Sequence, residues 1–372
     1  PPPPPPPPPP PSFSTRPRQT SGREASGARR GVEPTASGGA CSGDAGPRYN
    51  IEAPRVALAW IKNVEYAGLF IADHLNYYKE EGMTPNFLSG GPNSPMPSVN
   101  VSAGNAQIGF DNDFRRFMDA VLLGNDLVIV GAQYQRSPGG IISLAKRPIL
   151  TPEDLVGSRF LGQDGVETIV DAVLTMAGLP IEYDYFPAGY SVAALVEGQG
   201  DTYSAFAVNQ PIALQREYGM EEGKDFFFIS WAELGLAGYG NMLFCKREFL
   251  ETEFDTVVGF LRATIKGWYY NAEHPNLAPK LVLDGPGKDL GLEIEQQRIQ
   301  NKIQQEYMHS ALTAEKGIFW IDPEDVELNM YPSLRATGRT NLPPAAEVFD
   351  TRALEVAYEE ITLPLAFRAG VE

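Results

Sequence analysis

Cysteine and histidine are scarce in this chain, with two Cys and three His among 372 residues. Cys41 sits in a low-complexity stretch, and Cys245 follows the apolar run Asn241-Met-Leu-Phe. A bridge between them would tie a tail to a core strand, so no structural disulfide is expected. His74, His274 and His309 are too dispersed to share a metal, and no Cys cluster joins them. Neither a metal nor any other cofactor is expected. There is no Gly-x-Ser-x-Gly elbow and no phosphate-cradling P-loop. Positive charge is also short. Thirty Lys and Arg stand against 47 Asp and Glu, a net charge of −17, and this excludes nucleic acid as a natural partner. No apolar run reaches the ~18 residues that span a bilayer.

What is present divides the chain in two. Residues 1–49 open with polyproline, Pro1 to Pro11, and continue in Ser, Gly, Arg and Ala. This composition cannot bury a core and reads as a disordered leader or tether without an apolar signal segment. Within it, Ala36-Ser-Gly-Gly-Ala-Cys41-Ser-Gly-Asp44 looks like the tail of a lipoprotein signal, with Gly38 where Leu is usual. Cys41 is therefore the candidate lipidation site. Residues 50–372 have ordinary apolar content and length for two domains.

From there strands and helices alternate. Val56–Trp60 reads as a short buried strand, and the apolar positions from Ala67 to Tyr78 have helical spacing, with Gly82 as a helix terminator. Strands follow at 84–88, 106–111, 127–132, 139–145, 158–161, 183–186, 202–208 and 238–244. The continuous apolar run Leu127–Ala132 is typical of a central parallel strand. Thr151-Pro-Glu-Asp opens a capped helix. From Lys246 the pattern turns helical, with one helix expected over Phe249–Ala272 and others at 294–310, 322–336 and 350–360. Such alternation predicts an α/β fold with mainly parallel sheets. The expected arrangement is two lobes joined by two crossings, a hinged clamp. Residues 50–139 plus 244–372 form lobe one, and 140–243 form lobe two.

The opening strand, the Ala67-Gly68 turn and Tyr77-Tyr-Lys-Glu-Glu-Gly82 resemble the start of the SsuA/THI5-like (NMT1-like) periplasmic substrate-binding proteins of ABC importers. Val101, Gly104, Ala106 and Gly109, and the Pro152-Glu-Asp-Leu-Val-Gly157 segment, match further hallmarks of that family. The resemblance spans about residues 54–345. It implies a two-lobed periplasmic-binding fold (type II), a small-molecule ligand, a membrane permease as partner and a monomeric receptor. The expected location is the periplasm, or an extracellular membrane-anchored position if Cys41 is lipidated. The related fungal thiamine-pyrimidine synthases are the enzymatic alternative. They carry a Cys-Cys-Cys-Phe-Cys motif and a reactive His, and this sequence has neither a Cys cluster nor a His in a cleft loop.

The candidate site lies at strand ends, where open α/β sheets bind ligands. Trp60, Asn63 and Tyr66 follow the first strand, Asn93 the second, Asp111 the third, and Gln133 and Tyr134 the fourth. Asp164, Tyr190 and Asn209 follow strands of lobe two, and Tyr239 stands at the return crossing. Asp113 is expected to cap the helix after it. Aromatic faces stack on planar rings, amides match heterocycle edges, and Asp111 or Asp164 can accept from an exocyclic amine. An anion would need a cation or a helix N-terminus, and Arg115 and Arg136, the nearest cations, stand in no obvious cleft turn. The ligand expected is thus an uncharged aromatic heterocycle. Within the family this points to thiamine pyrimidine precursors, with riboflavin or a sulfonate as alternatives. Trp60 and Tyr190, from opposite lobes, are expected to sandwich its ring.

Overall fold

The computed structural model describes residues 51–361. The proposed leader and Cys41 lie outside the described residues. Ten strands build two five-stranded sheets. The first holds β1 (Arg55–Ala57), β2 (Asn86–Leu88), β3 (Ile108–Asp111) and β4 (Leu127–Tyr134). The second holds β5 (Gly139–Leu144), β6 (Arg159–Gly162), β7 (Asp184–Pro187), β8 (Thr202–Phe206) and β9 (Phe226–Ser230). The chain then returns, and β10 (Gly240–Lys246) completes the first sheet.

The spatial orders are β2-β1-β3-β10-β4 and β7-β6-β8-β5-β9, so the two sheets have one topology. In each, four strands run one way and one opposes them: β10 in the first and β5 in the second. These two are the strands entered by crossing between sheets. A chain that leaves one sheet at the carboxyl ends of its strands enters the other from the same cleft. It must then run away from the cleft, against its neighbours. The α/β expectation holds, with mixed sheets of this form.

The Leu127–Ala132 run is not a central parallel strand but part of the edge strand β4. β4 lies at the sheet edge and pairs only with β10, antiparallel. It is nevertheless buried along its whole length, because later segments cover the edge. Ala132 N–H donates to the Phe319 carbonyl at 2.9 Å and Asp350 N–H to that of Ile129 at 2.9 Å. A covered edge buries both faces as a central position does, so the apolar pattern is the same.

Burial alternates along the strands of the second sheet. Ile141 and Phe160 enter one core, while Ile142 and Leu161 enter another on the opposite face. In the first sheet the helix Ala67–His74 packs against the 20-residue helix Phe254–Glu273. The expected helix through Tyr78 is interrupted at Asn76, whose φ of 64° is left-handed. The helix expected over Phe249–Ala272 is two, Arg247–Thr252 and Phe254–Glu273, broken at Glu253. Ala67 and Gly68 open a helix rather than form a turn.

Candidate functional site

The carboxyl ends of the four like-directed strands of each sheet, and the amino ends of β5 and β10, face one cavity of about 460 Å³, within the range of ordinary ligand pockets. After β1 the chain is pinned on both sides of Trp60. The Trp60 N–H donates to the Tyr66 hydroxyl at 2.9 Å, and the Gly90 N–H donates to the Trp60 carbonyl at 2.9 Å. Asn63 caps the short 3-10 turn Val64–Tyr66, its Oδ1 accepting from Glu65 N–H at 2.9 Å. The backbone thus fixes where the Trp60 ring stands without using the ring.

After β3, Asp111 accepts from Asp113 N–H at 3.0 Å. Asp113 in turn caps the helix Phe114–Leu122, accepting from the Arg115 and Arg116 amides. Arg115 binds the Asp113 carboxylate at 3.0 Å. The two carboxyls diverge. Burial pushes Asp111 up to about 7, against the Asp113 N–H that lowers it. Burial would raise Asp113 too, but Arg115 and Arg116 beside it outweigh that and hold it below the usual range.

In the second sheet Gln163 follows β6 and organises the loop after β7. Its Nε2 donates to the Tyr203 hydroxyl at 2.8 Å and to the Gly189 carbonyl at 3.1 Å. Gln210 Nε2 donates to the Tyr190 carbonyl at 3.4 Å. This network places Tyr190, 46 % exposed, at the cavity mouth. There its ring meets Trp60 with centroids 4.9 Å apart and planes 58° from each other.

Further contacts tie the two sheets' bodies across the cleft. Arg116 donates to the Asp164 carbonyl at 2.7 Å, Arg115 to Thr168 Oγ1 at 3.2 Å, and Arg216 pairs with Glu293 at 2.9 Å. Gly165 makes the first of these possible. Its φ is +83°, and a Cβ there would stand 2.7 Å from the Arg116 guanidinium.

Trp60, Asn63, Asp111, Tyr134, Asp164, Tyr190, Asn209 and Tyr239 all line the cavity. Tyr134 and Tyr239 are nearly buried, and their hydroxyls are engaged with Gln304 Oε1 at 2.9 Å and Asp322 N–H at 3.0 Å. Asn209 accepts from Gln296 at 3.5 Å.

Three expected site residues do not line the cavity. Tyr66 is fully buried, its ring edge-on to Phe110, because its hydroxyl is needed to hold the Trp60 turn. Gln133 is fully buried as well, and its Nε2 donates to the Glu65 carbonyl at 2.9 Å. Asn93 is exposed and stands outside the wall, which its neighbours Gly91, Pro92 and Ser94 help to form.

Two further expectations change. Trp60 and Tyr190 touch each other, so no ring lies between them in this closed arrangement. Arg115 does face the cavity, with Arg116, but both guanidinium groups are already engaged. They stand against Glu65, Asp111, Asp113 and Asp164, so the wall carries more acid than base.

Glu65 was not singled out from the sequence. It lines the cavity, partly exposed. Burial pushes its carboxyl up to about 7, against smaller lowering by the Tyr66 hydroxyl and the Asn241 amide. An acid directly before Tyr66 in the strand-end turn was the available signal. It was lost among the many acids of the chain.

The raised Asp111 carboxyl makes a prediction. The folded state holds a proton that the unfolded chain gives up near the ordinary carboxylate range. This contribution to stability is present at low pH and is lost as pH rises through about 7. The melting temperature of the ligand-free protein should fall from pH 5 to pH 8, and Asp111→Asn should fall distinctly less. Equal slopes would remove Asp111 from the account.

The family described as NMT1/THI5 like matches residues 63–278, more than half of the chain. A 4-amino-5-hydroxymethyl-2-methylpyrimidine phosphate synthase of Legionella pneumophila is 27 % identical over 234 residues, covering 60 % of this chain and 71 % of the relative. A formylaminopyrimidine-binding protein of Halalkalibacterium halodurans is 25 % identical over 242 residues, covering 63 % and 70 %. Among solved structures, the periplasmic sulfonate-binding protein SsuA of Methylobacillus flagellatus superposes with a TM-score of 0.56 at 12 % identity, over 84 % of this chain and 95 % of that one. That likeness shows the fold. Among the described residues no helix is long and apolar enough to cross a membrane.

Proposed function

This chain belongs to the NMT1/THI5-like family, and from that membership we propose that it is the extracytoplasmic solute-binding receptor of an ABC importer. Its ligand is an aromatic heterocycle bearing an exocyclic amine, of the thiamine-pyrimidine type, which it hands to a membrane permease. The observation that carries this reading is the meeting of Trp60 and Tyr190, from opposite sheets, over a cavity walled by amides and carboxyls. Aromatic faces hold a planar ring, and carboxyls and amides read its edge. A sulfonate or phosphate is disfavoured because both arginines of the wall are already paired with Asp113, and Asp111 and Glu65 offer no positive charge in either protonation state. The name of the formylaminopyrimidine-binding relative agrees with this ligand class.

The name of the synthase relative favours a second reading, an enzyme that makes a pyrimidine. Among the described residues the cavity wall carries no His and no Cys. The reactive His expected of a synthase therefore has no counterpart there.

One experiment separates the readings. The protein is incubated with 4-amino-5-hydroxymethyl-2-methylpyrimidine, its formylamino analogue, riboflavin and an alkyl sulfonate. Melting temperature and the masses of protein and ligand are then recorded. A receptor for aminopyrimidines is stabilised by the first two, by about 2.7 kcal/mol at a hundredfold excess over Kd, and every mass is unchanged. Stabilisation by the sulfonate alone overturns the ligand class, and a changed mass overturns the receptor.

A further inference from the structure

Beneath the cavity floor lies a pair of buried amides whose hydrogen-bonding capacity the fold leaves partly unused. β4 and β10 run antiparallel, with Gly240 opposite Tyr134 and Met242 opposite Ala132. This register sets Asn241 opposite Gln133, side chains on one face of the sheet. Both are fully buried. Gln133 reaches the Glu65 backbone through its Nε2, but its Oε1 has no partner. Asn241 is less satisfied still. Its Oδ1 and Nδ2 have no well-formed hydrogen bond, although the amide lies close enough to lower the Glu65 carboxyl. Its backbone has a φ of 49°, a left-handed conformation unusual for a residue other than glycine. Buried polar groups are nearly always paired, and strained residues gather at functional sites. Of this group, Glu65 is the member that faces the cavity.

We propose that Glu65, seated against Asn241 and Gln133, is the specificity-determining contact for the ligand's amine edge, an exocyclic amine beside a ring nitrogen. This inference rests on the aminopyrimidine reading above and names the residue that selects within it. One carboxyl oxygen accepts from the exocyclic amine. The other shares a single proton with the ring nitrogen. No proton is gained or lost overall if it starts on either partner, but one must be present, so the pair is lost at high pH. A glutamine offers the same donor and acceptor side by side without any titration, as amides do on an adenine edge.

The titratable groups nearest Glu65 are the Tyr66 and Tyr134 hydroxyls, which burial keeps protonated well beyond neutral pH. Across the cavity stand Asp111, Asp113, Asp164, Arg115 and Arg116. Of these Asp111 titrates in the same range as Glu65, so it needs its own control.

The test is calorimetric titration of 4-amino-5-hydroxymethyl-2-methylpyrimidine and its 4-oxo analogue from pH 6 to 9. The proteins are wild type, Glu65→Gln, Glu65→Ala and Asp111→Asn, each checked for folding by its melting transition. Wild type should prefer the amine and lose affinity above about pH 7, approaching tenfold per pH unit. Glu65→Gln should keep binding at neutral pH with a flat profile. Glu65→Ala should lose at least tenfold and most of its preference over the oxo analogue, and Asp111→Asn should keep the wild-type slope. Wild type binding the amine while Glu65→Ala binds it equally well, or Asp111→Asn alone flattening the profile, overturns the inference and leaves the receptor reading standing. Absence of any binding by wild type overturns both.

Discussion

Gly267→Ala lowers the stability of the protein by about 1–3 kcal/mol, although helix propensity alone predicts a gain of about 1 kcal/mol for Ala over Gly. The sign is decided by one helix crossing. Gly267 lies in the middle of the helix Phe254–Glu273, where it meets the helix Ala67–His74. A Cβ on Gly267 would stand 2.0 Å from the Gly68 carbonyl oxygen and 3.0 Å from the Ala72 Cβ. The obstacle is helix backbone, which has no rotamer to change, so the two helices must separate. From the other side, a Cβ on Gly68 would stand 2.2 Å from the Trp268 ring, which is itself buried. Interiors packed to crystal-like density do not absorb such a displacement. The measurement is the denaturant midpoint of Gly267→Ala against wild type, with ligand absent. A midpoint equal to or above wild type would show that the helices slide apart freely. Binding by the fraction that remains folded should be unaffected, because the crossing lies away from the cavity wall.

That crossing illustrates what the sequence made legible. Ala67-Gly68 is legible as a family signature, but its position reads as a turn. Its physical basis is a helix–helix contact with a partner 199 residues on, which local pattern cannot reveal. The α/β alternation, nine of the strands and most helices were readable because each buries a local periodic face. β9, Phe226–Ser230, was missed: its Phe-Phe-Phe-Ile-Ser run has no alternation, and turn residues crowd it on the amino side. The helices Gln210–Glu217 and Leu277–Asp284 were missed because each carries a Pro inside its first turns, which reads as a breaker although Pro is tolerated there.

In the site, strand-end logic found Trp60 and Tyr190 because topology alone fixes which turns face the cleft. It could not separate side chains that look into the cavity from those that brace it. Tyr66 and Gln133 are braces, and only their hydrogen bonds, to Trp60 and to Glu65, show this. The proximity of Asn241 to Gln133 and Glu65 depends on strand pairing across more than a hundred residues, and no sequence pattern announces it.

Trp60→Ala weakens aminopyrimidine binding at least tenfold, about 1.4 kcal/mol, with little loss of fold stability. Two terms add. The ring supplies a stacking face, with aromatic pairs contributing about 0.5–1.5 kcal/mol beyond the area they bury. It also supplies the Trp60–Tyr190 contact itself, at 4.9 Å, which favours closure before any ligand arrives. A planar ligand held between both rings would need them about twice the 3.5–4 Å of van der Waals contact apart. The ligand-bound arrangement must then either part them by about 2–3 Å or stack the ligand on one ring alone. A double-mutant cycle decides between these. If the ligand lies between the rings, Trp60→Ala and Tyr190→Ala each lose affinity, and the double variant loses less than their sum, because either single change already opens the sandwich. If the ligand stacks on Trp60 alone, Tyr190→Ala costs only the closure contact, which Trp60→Ala already removes, so the double variant binds no more weakly than Trp60→Ala. Fold stability should hold in both variants. The Trp60 turn is fixed by the Tyr66 hydroxyl and the Gly90 amide, which act on its backbone, and the Tyr190 loop by Gln163 and Gln210. A sharp drop in melting temperature with unchanged affinity for Trp60→Ala would make Trp60 a core residue, and the stacking face would then have to be Tyr134 or Tyr239.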